Sequence, residues 1–118
     1  MLHNMSLNPQ PFEKIRCGKK TIELRLLDEK RRLICPGDKI CFTNAENVEE
    51  KLVVKVLALH KFRSFAELYS TLPLEKCGYS QEEVAAADPR DMDLYYSAEK
   101  QEKYGVVGIE IEIVDGGC

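Results

Sequence analysis

Apolar and polar positions alternate along five stretches of the chain, and the segments between them carry the spacing of short helices. Met1 to Leu7 reads as a strand with Met5 and Leu7 on one face, ended by Pro9. Pro11 suits the first turn of a helix running to Cys17, with Phe12 and Ile15 sharing a face and Gly18 stopping it. Thr21 to Leu26 has period two: Ile22, Leu24 and Leu26 on one side, Thr21, Glu23 and Arg25 on the other. If the aliphatic side packs on the core, the polar side is an outward row, either solvated or one wall of a cleft.

Asp28 to Arg32 reads as a polar connection and Pro36-Gly37-Asp38 as a turn. Lys39 to Thr43 predicts a strand with Ile40 and Phe42 on one face. Asn44 to Glu50 reads as a polar loop, and Leu52 to Leu59 as a buried central strand on which Val54, Val56 and Ala58 share a face. Ser64/Glu67 and Ser80/Glu83 have capping-box spacing and open two helices, with an irregular stretch from Leu74 to Tyr79 between them. Met92 to Tyr104 predicts one charge-dense helix stopped by Gly105. Val106 to Val114 is the last strand, with Val107, Ile109, Ile111 and Ile113 together; Gly116 to Cys118 is expected to be loose. The whole predicts a single α+β domain over residues 1–118. Long crossover helices are missing, so a strongly bent, mostly antiparallel sheet or partly closed barrel is expected. There is no G-x-G-x-x-G and no Walker loop.

Charge changes this picture more than composition does. Between Lys14 and Lys39 nine Lys and Arg face four Asp and Glu, a local excess of five; the other eight basic residues face sixteen acids, leaving minus eight elsewhere and minus three in total. A confined positive region on an acidic protein suits one nucleotide, a modified nucleoside or a short single strand better than a duplex, which needs a broad basic footprint. No run approaches the ~18–20 apolar residues of a membrane span. The five cysteines are unevenly spaced and only His3 and His60 could assist them, so neither a disulfide framework nor a zinc site is expected. Nothing implies a cofactor. Without a secretory signal pattern at the N-terminus, a cytoplasmic location is the expectation.

The densest chemistry lies in Gly18-Lys19-Lys20-Thr21-Ile22-Glu23-Leu24-Arg25. Lys20, beside a glycine turn, can meet a phosphate or an oxyanion; Arg25 can stack on a base or bind a phosphate; Glu23 and Arg25 can equally pair with each other. Thr21 offers a hydroxyl to a ligand or simply opens a strand. Lys30, Arg31 and Arg32 either extend a phosphate track or form a solvated loop. Tyr95, Tyr96 and Tyr104 are candidates for stacking on a nucleobase, or for packing helix against barrel. His60 is a candidate proton carrier.

Gly18-x-Lys20-x-x-Glu23-x-Arg25 resembles the signature of ASCH domains, a branch of the PUA-like superfamily. The likeness extends through Asn8-Pro9-Gln10-Pro11-Phe12, Pro36-Gly37-Asp38 and Tyr104-Gly105-Val106-Val107-Gly108-Ile109, nearly the whole chain. It implies a PUA-like pseudo-barrel of five or six mostly antiparallel strands with short flanking helices, and a cleft to which Gly18 to Arg25 contributes. It also implies RNA or nucleotide binding, with Lys20, Thr21, Glu23, Arg25 and Tyr104 as the candidate ligand-binding residues. Some small bacterial members hydrolyse the acyl amide of N4-acetylcytidine with the motif lysine, a threonine three residues later and a glutamate. Here the lysine matches Lys20, Glu23 stands in the threonine position, and Glu75 (or Glu67) is the glutamate candidate. An amidohydrolase using Lys20, Glu23 and Glu75 is therefore the alternative to a binding domain. A protein-interaction domain, its partner unknown, is the third reading.

Overall fold

The architecture follows from one sheet whose two faces are both covered over part of its width. The computed structural model describes residues 1–116, so the expectation for Gly117 and Cys118 lies outside the described residues. The strands are β1 (Leu2–Leu7), β2 (Ile22–Leu26), β3 (Lys39–Asn44), β4 (Asn47–Phe62) and β5 (Val106–Asp115). The helices are α1 (Pro9–Arg16), α2 (Phe65–Thr71), α3 (Gln81–Ala86) and α4 (Ala98–Tyr104), with 3-10 turns at Arg31–Leu33, Leu74–Cys77 and Pro89–Leu94. The sheet order is β1-β3-β4-β5-β2. Only β1 and β3 run parallel; the other three pairs are antiparallel. Curling of this sheet into a half-barrel encloses Met5, Ile40, Phe42, Val54, Val56, Val107 and Ile109, and Phe12 and Ile15 of α1 close the mouth.

A second core lies on the opposite face of β2 and β5. There Ile22, Leu24, Leu26 and Val106 pack against Phe65 and Leu68 of α2, Leu74 and Met92. Of the two alternatives for the polar side of β2, the structure gives the cleft wall, turned inward rather than outward. Its aliphatic side faces the helices, while Glu23 and Arg25, opposite Ile109 and Val107, point to the concave side. The polar row is a cleft wall, and Glu23 is only 4% exposed.

Three further expectations change. Asn44 to Glu50 is not a loop: Asn44 pairs with Asn47 across a tight turn, and β4 runs on for 16 residues. The Asn44 side chain builds that turn, accepting from the Glu46 amide at 3.0 Å and donating to Glu50 at 3.0 Å. Exposed polar residues can extend β4 because the ladder needs only backbone groups. Within β4, Leu57 is an extra residue between Val56, opposite Ile111, and Ala58, opposite Glu110. This bulge reverses the side-chain alternation, so Leu59 rather than Ala58 joins Val54 and Val56 against the inner core. Finally, Met92 to Tyr104 is broken. The 3-10 turn ends at Leu94, and the Ser97 hydroxyl accepts from the Lys100 amide at 3.2 Å to start α4 anew. That break places Tyr95 and Tyr96 in a connection rather than on a helix.

Candidate functional site

Strands β1 and β2 are the two edges of the curled sheet, and the half-barrel stays open between them. Arg25 bridges the gap, its Nη2 donating to the Ser6 carbonyl at 2.9 Å. Beside this seam lies a cleft of about 500 Å³, within the usual size of a small-ligand site. Lys20, Glu23 and Arg25 line one wall and Lys14 of α1 another. Tyr79, Glu83, Tyr95 and Tyr96 come from the helical side.

Glu23 holds the centre of this wall. One of its oxygens meets Lys20 Nζ at 2.9 Å and the other meets Arg25 Nε at 2.8 Å. Burial opposes ionisation of Glu23, but the charges and hydrogen bonds of Lys20 and Arg25 outweigh it and hold the carboxyl below its ordinary range. The local chain creates this geometry. Gly18, at φ +78°, turns the chain out of α1, and the Lys20 amide donates back to the Lys14 carbonyl at 3.1 Å. Gly78, at φ +100°, lets the Lys20 stem pass: an added Cβ would lie 3.1 Å from Lys20 Cδ. Lys14 Nζ donates to the Gly78 carbonyl at 2.8 Å and stands 4.0 Å from Glu83. Three cations against Glu23 and Glu83 leave the cleft formally at plus one.

The rim carries aromatic rings. Tyr95 is 67% exposed, while Tyr96 is half-buried and stacked on Phe65 with centroids 6.0 Å apart. Burial pushes the phenols of Tyr79 and Tyr96 up, so both stay neutral donors. Tyr79 also shares a hydroxyl–hydroxyl hydrogen bond with Tyr69. Cys77 lines the cleft too, but burial raises its thiol to about 11, and it is protonated at neutral pH.

Of the residues singled out from sequence, Lys20, Glu23, Arg25, Tyr95 and Tyr96 are brought together here. Thr21 is not: it is held through its backbone, its amide on the Lys76 carbonyl and its carbonyl on the Ile111 amide, and it stays off the cleft wall. Tyr104 belongs to the second core, its ring 5.1 Å from Lys103 Nζ, away from the cleft. Glu75 is exposed on its 3-10 turn and Glu67 on α2; neither lines the cleft. His60 pairs with Glu110 at 2.9 Å, also outside it. Arg32 caps carbonyls, donating to Leu27 at 3.0 Å and Tyr104 at 3.2 Å.

Sequence reasoning missed Lys14, Tyr79 and Glu83. The Ser80/Glu83 capping box was legible and is formed, but nothing local shows that the same glutamate also faces Lys14 across a separation of 69 residues. One signal for Lys14 existed: it precedes Gly18 by one helical turn, so it must sit near where Lys20 returns.

A curled five-stranded half-barrel with helices on its outer face and a ligand-sized cleft at its seam defines a PUA-like domain. Residues 5–115 match the ASCH domain, and the chain belongs to the ASCH domain family, which is proposed to bind RNA. The crystal structure of the hypothetical protein PH0355 is 38% identical with a TM-score of 0.77, covering 97% of this chain and 100% of that one. The solution structure of protein PF0455 from Pyrococcus furiosus is also 38% identical, with a TM-score of 0.71 and coverage of 98% and 99%. The crystal structure of ASCH from Zymomonas mobilis shares the fold at 18% identity and a TM-score of 0.65, covering 98% of this chain and 68% of that one. No curated protein matches the chain. Among the described residues no helix is long and apolar enough to cross a membrane.

Proposed function

We propose that the seam cleft binds one nucleotide unit of RNA, or a nucleotide-like ligand. The observation that carries this reading is the Lys20–Glu23–Arg25 triad, a fixed donor-acceptor-donor array in a cleft edged by Tyr95 and Tyr96. Lys20 presents its remaining protons to a phosphate or carbonyl oxygen. The Glu23 carboxylate keeps free lone pairs for a base amino group, and the exposed Tyr95 ring offers a stacking face. Because Glu23 already fixes both cations, little side-chain freedom is lost when a ligand arrives. The cleft is too narrow and too weakly charged for a duplex.

The hydrolytic reading is less well supported. Glu23 is held ionised by two cations, which makes it a weak base toward water, and Glu75 stands outside the cleft. Acetate release from N4-acetylcytidine is accordingly not expected.

Lys20→Ala tests the binding reading. Glu23 retains Arg25 in that variant, so the domain stays folded while affinity for a short single-stranded RNA falls about tenfold, the effect of about 1.4 kcal/mol. Equal affinity of the two proteins in a calorimetric titration would reject the site.

A further inference from the structure

A second depression of about 410 Å³ adjoins the cleft and shares two residues with it, Ser6 and Arg25. Its wall adds Lys30 and Arg31, with Asn4 and Thr43 as polar neighbours, and contains no carboxylate. Two acids pair with its cations without lining it: Asp28 meets Arg31 Nη1 at 3.1 Å, and Glu23 meets Arg25. Three cations minus those two acids leave one positive charge. Lys30 supplies it, because Lys30 forms no ion pair among the described residues. Arg31 adds an incomplete hydrogen-bond complement. Its Nε is buried without an acceptor, the one such side-chain atom among the described residues. A buried donor without a partner costs free energy, and a turn of the Arg31 guanidinium toward the depression brings it to an acceptor there.

Because they share Ser6 and Arg25, the two hollows suit adjacent units of one chain. Resting on the reading of the cleft above, we propose that the ligand is a single-stranded oligonucleotide rather than a free nucleoside. One base occupies the seam cleft, and the neighbouring phosphate sits in the second depression on Arg25, Lys30 and Arg31. Arg25, with its guanidinium between the two, is the register point. Of the basic run Lys30-Arg31-Arg32, only the first two belong to this track, since Arg32 is spent on the Leu27 and Tyr104 carbonyls.

The test compares the four ribonucleosides with the corresponding dinucleoside monophosphates, on the wild-type protein and on Lys30→Glu, by calorimetry over a range of salt. Lys30 is exposed, so its reversal leaves the fold intact. The expected result is that a dinucleoside monophosphate binds about threefold to tenfold more tightly than its nucleoside, as one added phosphate contact should allow. Lys30→Glu should abolish that gain without changing nucleoside affinity, and the gain in the wild-type protein should shrink as salt is raised. Nucleoside binding without any gain from the phosphate, or a gain indifferent to Lys30→Glu, would overturn the second site and leave the cleft reading standing. If neither compound binds the wild-type protein, both readings fall.

Discussion

Glu23 is the residue on which the site turns, and its energetics are a contest between burial and charge. A lone carboxylate at 4% exposure would protonate, yet Lys20 and Arg25 keep this one ionised. The sign for stability follows. A carboxyl whose folded pKa lies below its unfolded value of 4.5 stabilises the fold above that value, and the contribution is lost as pH falls through the depressed one. The Glu23 contribution should therefore be constant from pH 8 to about 5.5 and decline only in acid. Urea titrations of wild type and Glu23→Gln across pH 7 to 3 isolate it: their difference should shrink as pH falls, whereas a constant difference would contradict the ionised triad. Glu23→Ala leaves two half-buried cations without their anion and should cost about 2–3 kcal/mol, somewhat below the loss for a fully buried pair, against much less for Lys20→Ala, where Arg25 still neutralises the carboxylate. Equal losses for the two variants would refute that asymmetry. The triad was half legible in sequence. Period two placed Glu23 and Arg25 on one face, but periodicity cannot say which face meets solvent on a strand covered on both sides. Lys14 and Glu83 enter from distant elements and left only a faint local trace.

At the level of elements, the joints rather than the strands carry the strain. Gly105 ends α4 and begins β5 at φ +75°, ψ −172°, a region open essentially to glycine alone, and an added Cβ would lie 2.9 Å from the Phe62 carbonyl oxygen. Gly105→Ala should destabilise the domain by about 2–4 kcal/mol, read as a lower urea midpoint with an unchanged m-value. A change below 0.5 kcal/mol would mean the junction relaxes freely. Asp38 performs a different task. It takes hydrogen bonds from the His3 ring at 2.9 Å and the Cys35 amide at 3.0 Å, and the Met1 amino group lies 3.3 Å away, so one turn residue pins the start of the parallel β1–β3 pair. The His3 hydrogen bond, with the other two, lowers the Asp38 carboxyl to about 2. Its clamp is complete above the unfolded 3.8 and is lost as pH falls toward 2. Asp38→Asn should accordingly speed amide exchange in β1 at neutral pH while leaving β5 protected; uniform change across the sheet would assign Asp38 a global role instead. The turn itself was readable from Pro36-Gly37-Asp38. What was not readable is the Leu57 bulge, because an apolar residue on each side of the misstep hides a change of face. The Asn44 turn was hidden for the opposite reason, by a polarity that looks like a loop.

For the molecule as a whole, the fold sets where charge can act. Five strands curl without closing, and at the open seam between β1 and β2 Lys14, Lys20 and Arg25 line one cleft with Glu23. The remaining surface holds the acidic excess, which discourages nonspecific attachment of long nucleic acid and leaves binding to a short segment at the seam. Binding of single-stranded RNA should therefore weaken with salt only shallowly, as one or two released counterions require, and duplex of equal length should not compete. The fold class was accessible from strand spacing and the missing crossover helices, since those are local properties. The seam was not, because it exists only when curling brings the two edges of the sheet near each other. The most direct test of the account is a backbone-amide NMR titration of the protein with a short single-stranded RNA. Shifts confined to residue 14 and residues 20–25, 30–31, 78–83 and 95–96, requiring about tenfold more RNA in Lys20→Ala, are the result the account predicts. Shifts on the outer face of β3 and β4, or none at saturating RNA, would contradict it.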